Sequence, residues 1–375
     1  MTRPDPHQPS GRPHSNTRRK FLVALGFGVT NVGLLRELGS VPSAEPADAG
    51  DPVEDAVRTG PDPLPGTEIA DAPDQLHDIV IANGRVIDPD TGFDGIADVG
   101  MTGASITAVG PGLRGAQVID AAGQVVAPGF IDILSAEPHP VGVWFKVADG
   151  VTTNMAMHGV NNYANAFFQN FEGKTPVHFG GAWHQHFIRG EDEQVGAVMP
   201  EDSLVSEQIA EFADLTRLNL ANGLAGVSFS PEYSPGTSRD EMEALARVAV
   251  ERGHGAFFHV RYSDPDSPGT SLEALEEVLQ IARDTGVWVH VEHLASTGGT
   301  FVMDEAIALL ESGRAEGLDV TADIYPYDFW GTTVASNRFA GDWRTRYRIS
   351  FEDLQVAGTN ELLNEVTFEE AQAQN

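Results

Sequence analysis

The chain has 375 residues, of which 55 are acidic and 23 basic, for a formal net charge of -32. That length accommodates two or three domains, or one barrel-sized unit with an accessory piece. So few basic residues leave nothing to neutralise phosphates, which argues against nucleic acid as a partner, and the absence of cysteine rules out disulfides and thiolate metal ligands.

The acidic excess is spread along the chain, and the only lysines are Lys20, Lys146 and Lys174. This pattern suits a protein kept soluble in high salt, where screening removes the self-repulsion of the compact state. A merely acidic protein is the alternative. Arg18 and Arg19 precede an apolar run over 21–35, followed by small residues up to Ala44. That order is similar to a twin-arginine export signal, so residues 1–44 are expected to direct export to the cell surface or beyond. The run is shorter than the ~20 residues of a membrane span, and no cysteine follows it for a lipid, so no stable membrane anchor is expected. Residues 45–75 are rich in Pro, Asp, Ala and Gly without apolar periodicity, which predicts a disordered acidic linker.

From Asp78 short β segments alternate with turn signals, and Asn83-Gly84 between apolar runs is a hairpin cue. Residues 76–128 are predicted to form a small β domain. Past Gly129 apolar strands alternate with amphipathic helices. Strands are expected at 130–134, 152–157, 177–181, 225–229, 256–260, 287–291 and 318–324, and helices at 239–252 and 271–285. Repeated β-α units without a dinucleotide glycine fingerprint predict an α/β fold, a (β/α)8 TIM-like barrel over 129–375, of which about seven strands can be counted.

Active sites of such barrels lie at the carboxyl ends of the strands. His158, His259 and His293 each close a predicted strand. Neutral imidazoles converging from separate strands make a single zinc site with an open position for water; three separately satisfied core histidines are the alternative. His184 and His186 alternate in "GAWHQHFIRG", so one faces the site, where it can stabilise a carbonyl oxyanion, and the other faces out. Arg261 and Arg239 are candidates to clamp a substrate carboxylate, and Glu232 and Tyr233 follow the fourth strand at the rim. Tyr233 is grouped with the substrate-binding candidates. Glu232 is a candidate metal or supporting group, or part of a solvated loop.

The segments "DIVIANGRVIDPDTG", "VIDAAGQVVAPGFID", "ADGVTTN", "SPEYSPGTSRDEMEALARVA", "FFHVRYSD", "VHVEHLASTGG" and "ADIYPYDFWGTT" together resemble the amidohydrolase superfamily, and within it the N-acyl-D-amino-acid deacylases, especially the N-acyl-D-glutamate deacylase-like branch. The resemblance runs from about Asp78 to about Thr333. It implies that the 76–128 segment is a β-sandwich flanking a metal-dependent hydrolase barrel. It places His259 and His293 on the metal-binding histidines of strands five and six, and His158 where relatives often carry a cysteine ligand. The activity implied is hydrolysis of N-acyl-D-amino acids, small molecules such as N-acyl-D-glutamate, by a zinc-bound hydroxide. Cyclic-imide or dipeptide hydrolysis, or a catalytically impaired fragment, are the alternatives.

Two departures bear on this. Leu134 and Ala136 stand where a His-x-His pair belongs on strand one, so one divalent metal is expected rather than two. His139 lies near in sequence but reads as a loop histidine. The family's strand-eight Asp has no counterpart in "FEDLQVAGTNELLNEVTFEEAQAQN", which reads as an acidic helical tail, so the barrel is expected to lack its eighth strand. Asp323 and Asp328 are the nearest candidates to replace that base, or are capping and turn residues.

Overall fold

The computed structural model describes residues 21–24, 75–266 and 269–374. The export-signal region expected over 1–44 and the linker expected over 45–75 lie outside the described residues, apart from 21–24 and residue 75. The chain divides into two compact units, 31–130 and 1–30 with 131–375. Among the described residues no helix is long and apolar enough to cross a membrane. Four residues of the apolar run form strand β1 (Phe21–Ala24).

The first unit is a five-stranded sheet. Its strands are β2 (Leu76–Asp88), β3 (Phe93–Thr102), β4 (Ser105–Gly110), β5 (Arg114–Asp120) and β6 (Val125–Val126), in the order β4-β3-β2-β5 with β6 also on β2. Val86, Ala97 and Val99 form its buried core. The hairpin falls later than Asn83-Gly84. The chain turns between Asp88 and Gly92, where the Asp88 carboxylate accepts from Thr91 Oγ1 at 2.7 Å and Gly92 has φ 74°. Asn83, at φ 63°, instead makes a bulge inside β2, at which the register shifts between Ile81 and Gly84. Its backbone N–H donates to Asp98 and its amide to Asp120. A residue tolerant of positive φ serves a bulge as readily as a two-residue turn, and the local cue does not distinguish them.

The second unit is built on a curled sheet of seven strands that run in sequence order: β7 (Phe130–Asp132), β8 (Val151–Val160), β9 (His178–His184), β10 (Gly226–Phe229), β11 (Gly255–Phe258), β12 (Val289–Val291) and β13 (Val320–Ala322). The pairings from β8 to β13 are parallel. All seven predicted strands are present. Strands β10, β11 and β12 are buried on both faces, as expected of strands whose apolar runs do not alternate. The connecting helices are α1 (Gly142–Ala148), α2 (Ala164–Phe171), α3 (Gln185–Glu191), α4 (Ser206–Ala221), α5 (Arg239–Glu251), α6 (Ser271–Thr285) and α7 (Met303–Ala315). Helix α5 buries Met242, Leu245, Ala246 and Ala249 on one face and starts where Ser238 accepts from the Glu241 N–H. A capping box between Thr270 and Glu273 opens α6, and Gly286, in the left-handed conformation, closes it.

Beyond β13 come β14 (Gly331–Thr333), α8 (Trp343–Tyr347), β15 (Leu354–Val356) and α9 (Glu365–Gln372). Among the described residues, the tail expected to be helical is α-helical over α9 and 3-10 helical over Phe351–Asp353, with β15 between them. Strand β1 pairs in parallel with both β14 and β15. A second, largely aromatic core forms here from Val334, Phe339, Trp343, Tyr347, Leu354, Leu363 and Phe368.

Candidate metal centre

The three histidines predicted from strand ends come together. His158 lies near the end of β8, His259 follows β11 directly, and His293 is two residues past β12. One nitrogen from each lies within 4.8 Å of the others, and their ring centroids are 5.5, 5.6 and 4.8 Å apart. His259 Nδ1 is 3.2 Å from His293 Nε2. Two tetrahedral zinc ligands with bonds of ~2.0 Å are separated by roughly 3.3 Å, so this spacing matches one edge of a zinc tetrahedron.

Carboxylates back the rings of His158 and His259, and a third holds the backbone of His293. Glu292, 1% exposed, lies 2.6 Å from His158 Nδ1. Glu232 Oε2 is 2.5 Å from His259 Nε2. Asp323 accepts the backbone N–H of His293, which sits at φ 34°, and lies 3.0 Å from His290 Nε2. A left-handed histidine is strained and persists because its surroundings hold it. Burial, reinforced by neighbouring charges, keeps His259 and His293 well below the ordinary histidine range. For His158 burial works in the same direction, but the Glu292 carboxylate outweighs it and raises the value. Two imidazoles held neutral and a third oriented through Nδ1 leave nitrogen lone pairs for a borderline cation. This all-nitrogen donor set with carboxylates behind it fits zinc.

His184 and His186 do not follow strand alternation, because β9 ends at His184 and α3 begins at Gln185. Their rings are 5.7 Å apart, and His184 is 5.9 Å from His158. The His184 Nδ1 is 3.1 Å from the side-chain Oδ1 of Asn161, while Nε2 is buried and unbonded. Burial, reinforced by the neighbouring histidines, holds His184 well below the ordinary histidine range, so it stays a neutral imidazole. His186 bonds the Ser234 hydroxyl, and burial pushes it down to about 4. Tyr233 lies 4.7 Å from the His259 ring, its phenol raised by burial.

The arginines are engaged elsewhere. Arg261 grips Glu277 through Nε and Nη2, and also donates from Nη2 to the Thr237 carbonyl and from Nη1 to the Pro235 carbonyl. Arg239 pairs with Glu243 and Asp284 along α5 and α6. Of these two, Arg261 and not Arg239 borders the cavity of about 760 Å³ that Glu232, Tyr262, Asp264, Asn337 and Arg346 also line. At the end of strand one, where Leu134 and Ala136 offer no ligand, Lys146 donates to Asn154 at 2.8 Å and pairs with Asp132 at 2.9 Å, and Asn154 donates to the Ala136 carbonyl. His139 accepts the N–H groups of Val141 and Gly142 at the start of α1, and Asp328 is exposed.

Two residues of the centre were not singled out from sequence. Glu292 immediately precedes His293, so its position next to a candidate ligand was a usable signal. Arg338 carries none: it is 3% exposed and reaches Glu232 from 106 residues away.

No protein-family model matches the chain. It is 29% identical over 302 residues to the N-acyl-D-glutamate deacylase of Alcaligenes xylosoxydans xylosoxydans, covering 70% of this chain and 59% of that protein. It is 25% identical over 273 residues to a dihydroorotase of Solibacter usitatus, covering 67% of this chain and 60% of that protein. Among solved structures it is similar to the Bordetella bronchiseptica N-acyl-D-glutamate deacylase complexed with zinc and a phosphonate mimic of the tetrahedral intermediate, at 26% identity and TM-score 0.57, covering 68% of this chain and 59% of that one. The chain thus spans about 60% of the length of the curated relatives it matches. Its homologues and structural neighbours are the N-acyl-D-glutamate deacylases and D-aminoacylases, metal-dependent hydrolases of the amidohydrolase superfamily.

Proposed function

We propose that the protein hydrolyses the amide bond of N-acyl-D-amino acids, N-acyl-D-glutamate among them, with a single zinc ion held by His158, His259 and His293. The convergence of three imidazoles from the ends of separate strands carries this reading. Leu134 and Ala136 provide no second set of ligands, which favours one metal over two. Zinc in such a site polarises a carbonyl and lowers the pKa of water toward neutrality. The chain's own groups do the rest. Glu292 and Glu232 hold His158 and His259 by the nitrogens that face away from the centre. His184 contributes a neutral imidazole with an unbonded Nε2 beside them, and Tyr233 packs on His259.

A second reading, opening of a cyclic amide, is favoured by the dihydroorotase relatives. Metal analysis of the purified protein in molar salt, with N-acetyl-D-glutamate and dihydroorotate as substrates, separates the two. We expect one zinc per chain and release of D-glutamate, lost on His259→Ala. Ring opening alone would favour the second reading, and bound zinc without turnover of either would overturn both. Arg18-Arg19 before an apolar run supports export through a twin-arginine-type pathway, and the spread of acidic residues supports a protein of saline surroundings.

A further inference from the structure

Arg338 lies in the short turn Asn337–Phe339 between β14 and α8. Its donors reach three loops at once. Nε donates to Glu232 Oε2 at 3.1 Å, and one terminal nitrogen donates to the Ser263 hydroxyl at 2.9 Å and the Ser296 carbonyl at 2.8 Å. Glu232 follows β10, Ser263 follows β11 and Ser296 follows β12. The last two loops also carry His259 and His293.

Glu232 Oε2 accepts from the Ser263 hydroxyl at 2.7 Å as well as from His259 Nε2 and Arg338. Because this oxygen takes the hydrogen on Nε2, His259 keeps a lone pair on Nδ1, the atom facing His293. Arg338 is the one arginine or lysine bonded to Glu232 among the described residues, and its rigid guanidinium, fixed by Ser263 and Ser296, holds that carboxylate through one bond from Nε to Oε2.

We propose that Arg338 is a positioning residue for the metal centre: by pinning Glu232 it sets the tautomer and ring orientation of His259, and by bridging three loops it sets the spacing of His259 and His293. The inference rests on the reading that these imidazoles hold zinc. Groups that orient a ligand typically change metal affinity by roughly 10- to 100-fold when lost.

The test is zinc affinity of the full chain, measured by chelator competition, together with the visible spectrum of the cobalt(II)-loaded protein, which reports ligand geometry rather than stability. Arg338→Gln is expected to weaken zinc by roughly 10- to 100-fold and alter the cobalt bands. Arg338→Lys, which keeps the charge and loses the fork, should fall between. Glu232→Gln should also weaken zinc, and the double variant should lose less than the product of the two single losses, since Arg338 acts in part through Glu232. Affinities within about threefold of wild type with unchanged cobalt bands, or losses that multiply in the double variant, would overturn the proposal. Should Arg338→Gln fail to fold, unchanged affinity in both Glu232→Gln and Arg338→Lys overturns it equally. Wild-type protein that binds no zinc would bring down the metal reading and this inference together, whereas zinc binding without deacylation leaves the inference standing.

Discussion

The interactions that decide whether the centre works are individual contacts between a ligand and the acid behind it. Glu292 is buried and bonds His158 through one oxygen, while the other has no partner. Glu292→Gln keeps the shape and removes the charge that orients and strengthens His158. Zinc affinity, read by chelator competition, should drop by roughly tenfold, with little loss of folding stability because a half-satisfied buried carboxylate contributes little to it. His186 contributes to the pH response of the metal-free protein, together with the other buried histidines of the centre. Folded, it stays neutral down to about 4; unfolded, it takes a proton near the ordinary value of 6.5. Protonation therefore favours the unfolded state, so stability is intact above 6.5 and declines as pH falls toward 4. His186→Gln should make the acid side of a plot of denaturation midpoint against pH less steep over that window.

At the level of elements, the three zinc candidates were legible because each closes an apolar strand, and strand ends are where such barrels place their chemistry. The groups that tune them were not, because they arrive from distant parts of the chain: Glu292 meets His158 across 134 residues and Arg338 meets Glu232 across 106. Local periodicity carries no information at that range. Asn83-Gly84 misled for a related reason, since one backbone conformation serves two elements. His184 and His186 misled because a helix begins between them, replacing a period of 2 with one of 3.6. Helix caps, by contrast, are local and readable. Thr270→Ala removes the oxygen that accepts the Glu273 N–H at the start of α6, and should lower unfolding free energy by about 1 kcal/mol in a denaturant titration.

Over the whole molecule the charge of -32 dominates. Like charges spread over a compact surface repel within it, and counterions remove that repulsion as the Debye length shrinks from about 10 Å at 0.1 M salt to about 3 Å at 1 M. The thermal midpoint should therefore climb with sodium chloride into the molar range, and more steeply than surface ion pairs such as Arg217–Glu251 can offset by weakening. A flat or falling midpoint in differential scanning calorimetry would rule out a surface adapted to brine.

The seven-stranded sheet ends at β7 and β13. Beside its first strand Ile131, Val141, Trp144 and Phe145 are between 49% and 71% exposed. Apolar side chains exposed beside an edge strand favour sticking to another molecule. Mutual repulsion between highly anionic copies keeps them apart in dilute buffer, and the brine that steadies each fold also lets neighbours approach. Colloidal and conformational behaviour should thus move in opposite directions on the same titration, with the osmotic second virial coefficient turning negative as the melting point rises.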